Sequence, residues 1–192
     1  PAVDTKLLVR GRFVGLRSSD DVWAVGDWVS LADHSVQVQR MASEIAALAG
    51  LNRSIQVALG AAGLRHDAGK VDQSFQQMLG NFDAEPWAKG KGDRRRQIKG
   101  LVPDGWRHEA LSAQAIPQGL DNAGLVRHLI LSHHGWGRPL VSHSDTVVFN
   151  GANFRELEER FGPWGLAHLE SLLRFADWEC SRRPRALHLR WS

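Results

Sequence analysis

The chain has 192 residues, a formal net charge of +3 and a hydrophobic fraction of 43%. These values predict one folded domain with its own core and exclude a disordered chain, while a single Cys excludes a disulfide framework or a thiolate zinc cluster. No run of about 18 apolar residues predicts a membrane span.

Read in chain order, the pattern changes once from β-like to helical. Residues 1–29 contain short β-like runs broken by glycines, and they predict a hairpin or an extended arm. From Ser30 onward the apolar residues recur with a helical period, so we predict a mostly α-helical domain over residues 30–192. The predicted helices span about 31–49, 53–66, 73–79, 106–116, 121–134 and 154–180, the last one split at Gly162-Pro163.

Capping residues and loops complete this assignment. Ser30, Asn52 and Asp72 precede the first three predicted helices and are suitable N-caps. The segments 80–105 and 135–153 are rich in Gly and carry Pro, and they predict loops.

The basic residues concentrate in one of these loops. Residues 89–99 hold six Lys or Arg and one Asp, so the rest of the chain is net negative. Arg94, Arg95 and Arg96 at the centre of this segment are candidates to guide a nucleic-acid backbone. The alternative is a solvated loop without such a function.

Five predicted helices place a His or an Asp on their apolar side. The five stripes are His34-Val38-Met41-Ile45-Leu48, Ile55-Leu59-Ala62-His66, His108-Leu111-Ala115, Ala123-Val126-Ile130-His133 and Leu166-Leu169-Leu173-Asp177. A single inward His is usually a hydrogen-bonded core residue. An unpaired buried carboxylate, however, costs several kcal/mol, so an inward Asp needs a cation beside it.

The neighbouring Asp67 and His134 bring this set to five His and two Asp. Imidazole and carboxylate ligands suit zinc, iron, manganese, nickel or cobalt. One hydrolytic ion takes three or four protein ligands, so seven candidates fit two ions that share a carboxylate. Paired ions about 3.5–4 Å apart are a common device for phosphodiester cleavage.

Five segments of the sequence carry a resemblance to a known family. HDAGK at 66–70 resembles the signature of the HD phosphohydrolase superfamily. LADHSVQV, RHEALS, LSHHG and RFADWECS resemble its first-helix histidine, Arg-His-Glu, paired-histidine and closing-aspartate segments. Together, over about residues 30–181, they resemble the HD nuclease domain of the CRISPR-associated nuclease-helicase of type I systems.

This resemblance implies an all-α fold, namely an HD-domain helical bundle with a short β-like N-terminal arm. Residues 1–29 would form the arm, or a linker from a preceding domain, and 30–192 the HD nuclease domain. The family's ligand sets, carried over, are His34, His66, Asp67 and Asp177 for one divalent ion and Asp67, His108, His133 and His134 for the second. Asp67 would bridge the ions, and Asp67 and Lys70 would be catalytic, with Lys70 near the scissile phosphate. The two ions would be manganese, nickel, cobalt, magnesium or iron.

The activity implied is a two-metal nuclease that hydrolyses single-stranded DNA in CRISPR type I antiviral interference. The implied partners are a helicase domain or subunit and a guide-RNA surveillance complex. We expect a cytoplasmic protein without a membrane anchor, monomeric as an isolated domain. The chain begins without Met and carries no helicase motif, so we expect a stand-alone subunit or a domain excised from a longer protein.

Two other functions remain open. An HD-type nucleotide or cyclic-nucleotide phosphohydrolase commonly manages with one ion, and His108, His133 and His134 argue against that version. A non-enzymatic helical module would use its ions only structurally, which a shared carboxylate disfavours.

The remaining unusual residues have weaker predictions. Trp136 and Arg138 directly follow the paired histidines, so we expect them to stack on a base and to bind a phosphate, with packing as the alternative for Trp136. The other predictions are core or domain-interface positions for Trp28, Trp106, Trp164 and Trp178, surface or structural roles for His128, His143, His168 and His188, and simple packing for Cys180.

Overall fold

The computed structural model describes residues 29–89, 106–135, 137–138 and 151–182. Within them the chain forms α1 (Leu31–Leu48), α2 (Arg53–Arg65), a 3₁₀ helix (Ala68–Val71), α3 (Gln73–Met78), α4 (His108–Gln114), α5 (Ala123–Ser132) and α6 (Gly151–Arg182), with two short strands, β1 (Val29–Ser30) and β2 (Trp87–Lys89). This confirms the predicted all-α bundle. None of the helices in this part of the chain combines the length and apolar character needed to cross a membrane.

The first three α-helices begin at the predicted capping residues. The Ser30 hydroxyl accepts a hydrogen bond from the backbone N–H three residues later, at 3.4 Å. The side chains of Asn52 and Asp72 do the same at 3.1 Å each. Each cap satisfies one of the backbone donors that the start of a helix leaves unpaired.

A small antiparallel sheet corrects the predicted loop at 80–105. β2 lies inside that segment and pairs with β1, with Val29 opposite Lys89. Local sequence did not reveal β2 because its hydrogen-bond partner lies far away in the chain. Residues 1–28 of the predicted arm lie outside the described residues, as do 90–105.

The last helix is divided as predicted, although it begins at Gly151 and not near residue 154. Gly162 has φ 68° and ψ 164°, which interrupts the helical backbone. A positive φ of this kind favours glycine, and the following Pro163 suits the first turn of the second helical segment.

The core lies between α1, α2, α5 and α6. Three of the five predicted stripes, those of α2, α5 and α6, are buried or half-buried throughout. The other two, in α1 and α4, end on exposed residues. In α1 the inner face continues through Ala42 and Ala46, while Leu48 is 89% exposed. In α4, Ala115 is exposed, and the inner face instead carries Ser112 and its neighbours.

Small residues explain why the buried face of α1 differs from the predicted stripe. The close approach of α1 and α2 leaves no room for a side chain on Gly63, since a Cβ there would lie 2.9 Å from the Val38 carbonyl oxygen. A pattern search that follows large apolar residues therefore misses the alanine-rich face where the two helices meet.

We predict opposite effects for two Gly→Ala substitutions in helices. Gly63→Ala should lower the free energy of unfolding by about 1–3 kcal/mol, because the new methyl group would overlap the backbone of α1. A Cβ on Gly165 would contact only Phe161 Cβ, at 3.5 Å. Gly165→Ala should therefore raise the free energy of unfolding by up to about 1 kcal/mol, because Ala favours the helix. Urea denaturation measures both, and equal effects would contradict the packing described.

Candidate metal centre

Five polar side chains converge where helix ends meet. His34 lies in the first turn of α1, His108 begins α4, and His66 and His133 directly follow α2 and α5. Asp177 lies in the last two turns of α6. All five side chains are buried, which confirms that five helices direct a His or an Asp into the domain.

Asp67 lies between these side chains and presents one oxygen to each side. Its Oδ1 lies 3.0 Å from His108 Nε2 and 3.8 Å from His133 Nε2. Its Oδ2 lies 3.3 Å from His66 Nε2 and 3.8 Å from His34 Nε2. One buried carboxylate therefore contacts both halves of the cluster.

Asp177 completes the half that faces Asp67 Oδ2. Its Oδ1 accepts a hydrogen bond from His34 Nε2 at 3.0 Å and lies 3.6 Å from His66 Nε2. Two groups of candidate ligands result, each with ligand atoms within 4.8 Å of one another: His34, His66 and Asp177, and Asp67, His108, His133 and His134. The structure thus brings together all seven residues that the sequence placed in a metal centre.

Backbone carbonyls orient two of the imidazoles. The Gly63 carbonyl oxygen lies 2.8 Å from His66 Nδ1, and the Ile130 carbonyl oxygen lies 2.5 Å from His133 Nδ1. A carbonyl can only accept, so each Nδ1 must carry the proton. When such a ring is neutral, as it must be to bind a metal ion, its lone pair is on Nε2 and is aimed into the cluster.

The donor set fits divalent metal ions. Among the described residues, four atoms buried in the cluster make no hydrogen bond, although Asp67 Oδ1 and His108 Nε2 lie 3.0 Å apart; the four are His66 Nε2, Asp67 Oδ1, His108 Nε2 and His133 Nε2. Leaving a buried polar atom unsatisfied costs about 1–3 kcal/mol. An ion on each side of Asp67 would satisfy these atoms, and nitrogen and oxygen donors suit first-row transition metals.

The electrostatics of the cluster show strong coupling between its charges. Burial opposes ionisation of Asp67, but the charges of His66 and Lys70 beside it hold the pKa of that carboxyl well below its usual range. Burial also opposes a charge on His66, yet Asp67 and Asp177 raise the pKa of that imidazole to about 10. Burial and cationic neighbours lower the pKa of His133. The carboxylates therefore remain charged and require positive charge around them.

Lys70 supplies part of that positive charge. The residue is 1% exposed, its Nζ lies 2.9 Å from Asp67 Oδ2, and Nζ donates to the Ala88 carbonyl at 3.5 Å. Ala88 belongs to β2, so the strand that sequence reasoning missed helps to hold the lysine. This geometry supports a role for Lys70 in holding Asp67, while its predicted proximity to the scissile phosphate stays a prediction.

Two further residues, Gly69 and Ser112, connect the HDAGK segment with α4 and were not singled out from sequence. The Ser112 hydroxyl accepts from Gly69 N–H at 2.8 Å and donates to the His108 carbonyl at 2.9 Å. A Cβ on Gly69 would lie 2.2 Å from that carbonyl oxygen. Both residues belong to the segments HDAGK and RHEALS, but only the fold shows that they touch.

Arg138, a predicted phosphate-binding residue, donates through Nη2 to Glu170 Oε2. Glu170 Oε1 accepts from His128 Nε2 at 2.7 Å, so the three residues join α5, α6 and the segment after the paired histidines. This confirms a structural role for His128. Binding of phosphate by Arg138 stays a prediction, and Trp136, Arg94, Arg95 and Arg96 lie outside the described residues.

The other described residues singled out from sequence are not members of the two groups of candidate ligands. Trp106 stacks on Phe75 with ring centroids 5.3 Å apart, and Cys180 is buried in the core. Trp164 is 87% exposed, which excludes the predicted core position but does not test the predicted domain interface. Trp178 is also exposed, His168 is exposed, and Trp28, His143 and His188 lie outside the described residues.

Comparison with protein families identifies the family of this chain. Residues 18–187, most of the chain, match the family described as Cas3, HD domain. The chain belongs to the Cas3 HD-domain family. Membership identifies it as a metal-dependent hydrolase of CRISPR type I systems and confirms the resemblance seen in the motifs. Comparisons with curated proteins and with solved structures gave no significant match.

We predict that the Glu170 interaction stabilises the domain in a pH-dependent way. Burial opposes ionisation of Glu170, but the hydrogen bonds from His128 and Arg138 lower its pKa. A pKa that is lower in the folded state means that the stabilisation is present above the unfolded pKa and is lost as the pH falls through the folded value. Glu170→Gln should lower the free energy of unfolding by about 1–3 kcal/mol near pH 7 and by progressively less toward pH 3.

The measurement is chemical denaturation of both proteins across that pH range. The control is Glu158→Gln, an exposed site on α6, which should change the free energy of unfolding by less than about 0.5 kcal/mol. A difference for Glu170→Gln that is constant with pH, or that grows in acid, would contradict the interaction.

Proposed function

We propose that this Cas3 HD domain is a nuclease that hydrolyses phosphodiester bonds of single-stranded DNA with two divalent ions, in CRISPR type I antiviral interference. The observation that carries the proposal is the placement of Asp67, whose two oxygens face separate groups of histidines. A carboxylate shared in this way suits a pair of ions about 3.5–4 Å apart, the arrangement that many phosphodiesterases use.

The ligand assignment follows from the two groups. His34, His66 and Asp177 would hold one ion together with Asp67 Oδ2, and His108, His133 and His134 would hold the other together with Asp67 Oδ1. Manganese, nickel, cobalt, magnesium and iron are the candidate metals. Bound there, such ions supply Lewis acidity toward phosphate oxygens and activate water for attack.

The protein's own groups prepare this site. Carbonyls hold the His66 and His133 rings with Nε2 inward, and Lys70 holds Asp67 Oδ2. A thiol nucleophile is not available from Cys180, because burial and the nearby charge of Asp177 raise the pKa of that thiol to about 12. We therefore assign the attacking group to water.

The proposed biological setting follows from the family. We propose that the domain acts in the cytoplasm on the DNA strand exposed by a guide-RNA surveillance complex. A helicase domain or subunit would deliver that strand, and the isolated nuclease domain would be monomeric. All seven candidate ligands come from one chain, which is compatible with a monomer.

We predict that the purified protein cleaves circular single-stranded DNA when Mn²⁺ or Co²⁺ is present and not when the ions are chelated. Asp67→Ala should reduce the rate at least about 10³-fold, because both candidate metal groups lose their shared ligand. Cleavage is followed by gel electrophoresis, and circular dichroism confirms the fold of the variant.

Asp121→Ala is the matched control, because Asp121 is exposed at the opposite end of α5, a helix about 15 Å long. It should cleave at the wild-type rate. Phosphate release from free nucleotides without DNA cleavage would indicate the phosphohydrolase alternative, and full activity of Asp67→Ala would contradict the site itself.

We also predict two ions per chain when metal is supplied, measured by elemental analysis after removal of excess ions. His108→Ala should reduce the number to about one, because His34, His66 and Asp177 remain as a separate group. A wild-type protein that is fully active with a single ion would contradict the two-ion proposal.

A further inference from the structure

A guanidinium group lies against the segment that carries the paired histidines. Arg174 precedes Asp177 by one turn of α6, and its Nε donates to the His133 carbonyl at 2.9 Å. Its Nη2 extends along Gly135, where a Cβ would lie only 3.1 Å away. The side chain is half-buried and its position is defined by the backbone of the metal-binding segment.

Within the described residues, Arg174 makes this single hydrogen bond and pairs with no carboxylate. Other cations near the centre differ: Lys70 contacts Asp67, Arg107 faces Glu109, and Arg138 binds Glu170. A guanidinium has five N–H donors, so both Nη groups of Arg174 keep donors for a further acceptor.

We propose that Arg174 binds a phosphate of the substrate beside the metal centre. Its Nε donates to the His133 carbonyl, so the donors of its two Nη groups remain for two phosphate oxygens, which the fork of a guanidinium matches. Gly135 has φ 85° and no side chain, so this residue places no Cβ against the Nη2 of Arg174. The assignment rests on the proposed function for the identity of the substrate but not for the phosphate contact.

The test is a binding measurement that does not depend on catalysis. A fluorescein-labelled oligothymidylate is titrated with EDTA-treated protein, and fluorescence anisotropy gives the dissociation constant at several salt concentrations. Arg174→Gln removes the charge while keeping an amide donor for the His133 carbonyl. We expect it to weaken binding about five- to tenfold and to reduce the slope of log affinity against log salt by about 0.7, one phosphate contact on a single strand.

Two controls separate phosphate binding from a structural role. Arg53→Ala removes the same charge at the exposed start of α2, about 20 Å along that helix from His66, and should leave affinity and slope unchanged. Arg174→Lys keeps the charge and should keep the slope near the wild-type value. Wild-type affinity and slope for Arg174→Gln would overturn the proposal, as would a loss of affinity that Arg53→Ala reproduces.

The outcome is independent of whether the protein cleaves single-stranded DNA. A protein that hydrolyses nucleotides in place of DNA would refute the proposed function, and a reduced salt slope for Arg174→Gln would still support the phosphate contact. Conversely, an active nuclease whose salt slope does not depend on Arg174 would refute this inference alone.

Discussion

A buried carboxylate keeps its charge only if cations surround it, and Asp67 imposes that requirement at the centre of this domain. Its two oxygens face different sets of imidazoles, and the Lys70 ammonium also contacts Oδ2. The groups around Asp67 come from α1, α2, α4 and α5, so the charge balance of one side chain connects most of the bundle. The same connection makes the site sensitive to small displacements of any of these helices.

The rest of the fold keeps these groups within reach of Asp67. Close packing of α1 on α2 at Gly63 brings the rings of His34 and His66 together, with centroids 5.4 Å apart. The contact of Gly69 with the His108 carbonyl and Ser112 sets the distance between Asp67 and α4. The paired β1 and β2 place the Ala88 carbonyl over the Lys70 ammonium. Positions with little room for substitution thus lie directly behind the candidate ligands.

Sequence patterns predicted much of this arrangement and failed where long-range contacts decide. Helix caps, the kink at Gly162 and the seven candidate ligands follow from local signals, because capping and helical periodicity act within a few residues. β2 and the Gly69–Ser112 contact depend on partners distant in the chain. Leu48 was misassigned because apolar character alone does not show which face of a helix is covered by a neighbour.

The most direct test of the central role of Asp67 is anomalous diffraction from crystals of the Mn²⁺-loaded domain. The account predicts two anomalous peaks about 3.5–4 Å apart, one beside each oxygen of Asp67. A single peak among His34, His66 and Asp177 would be compatible with a hydrolase that uses one ion, and it would contradict the proposal that Asp67 is shared by two ions. The same contradiction would follow from two peaks of which only one contacts Asp67.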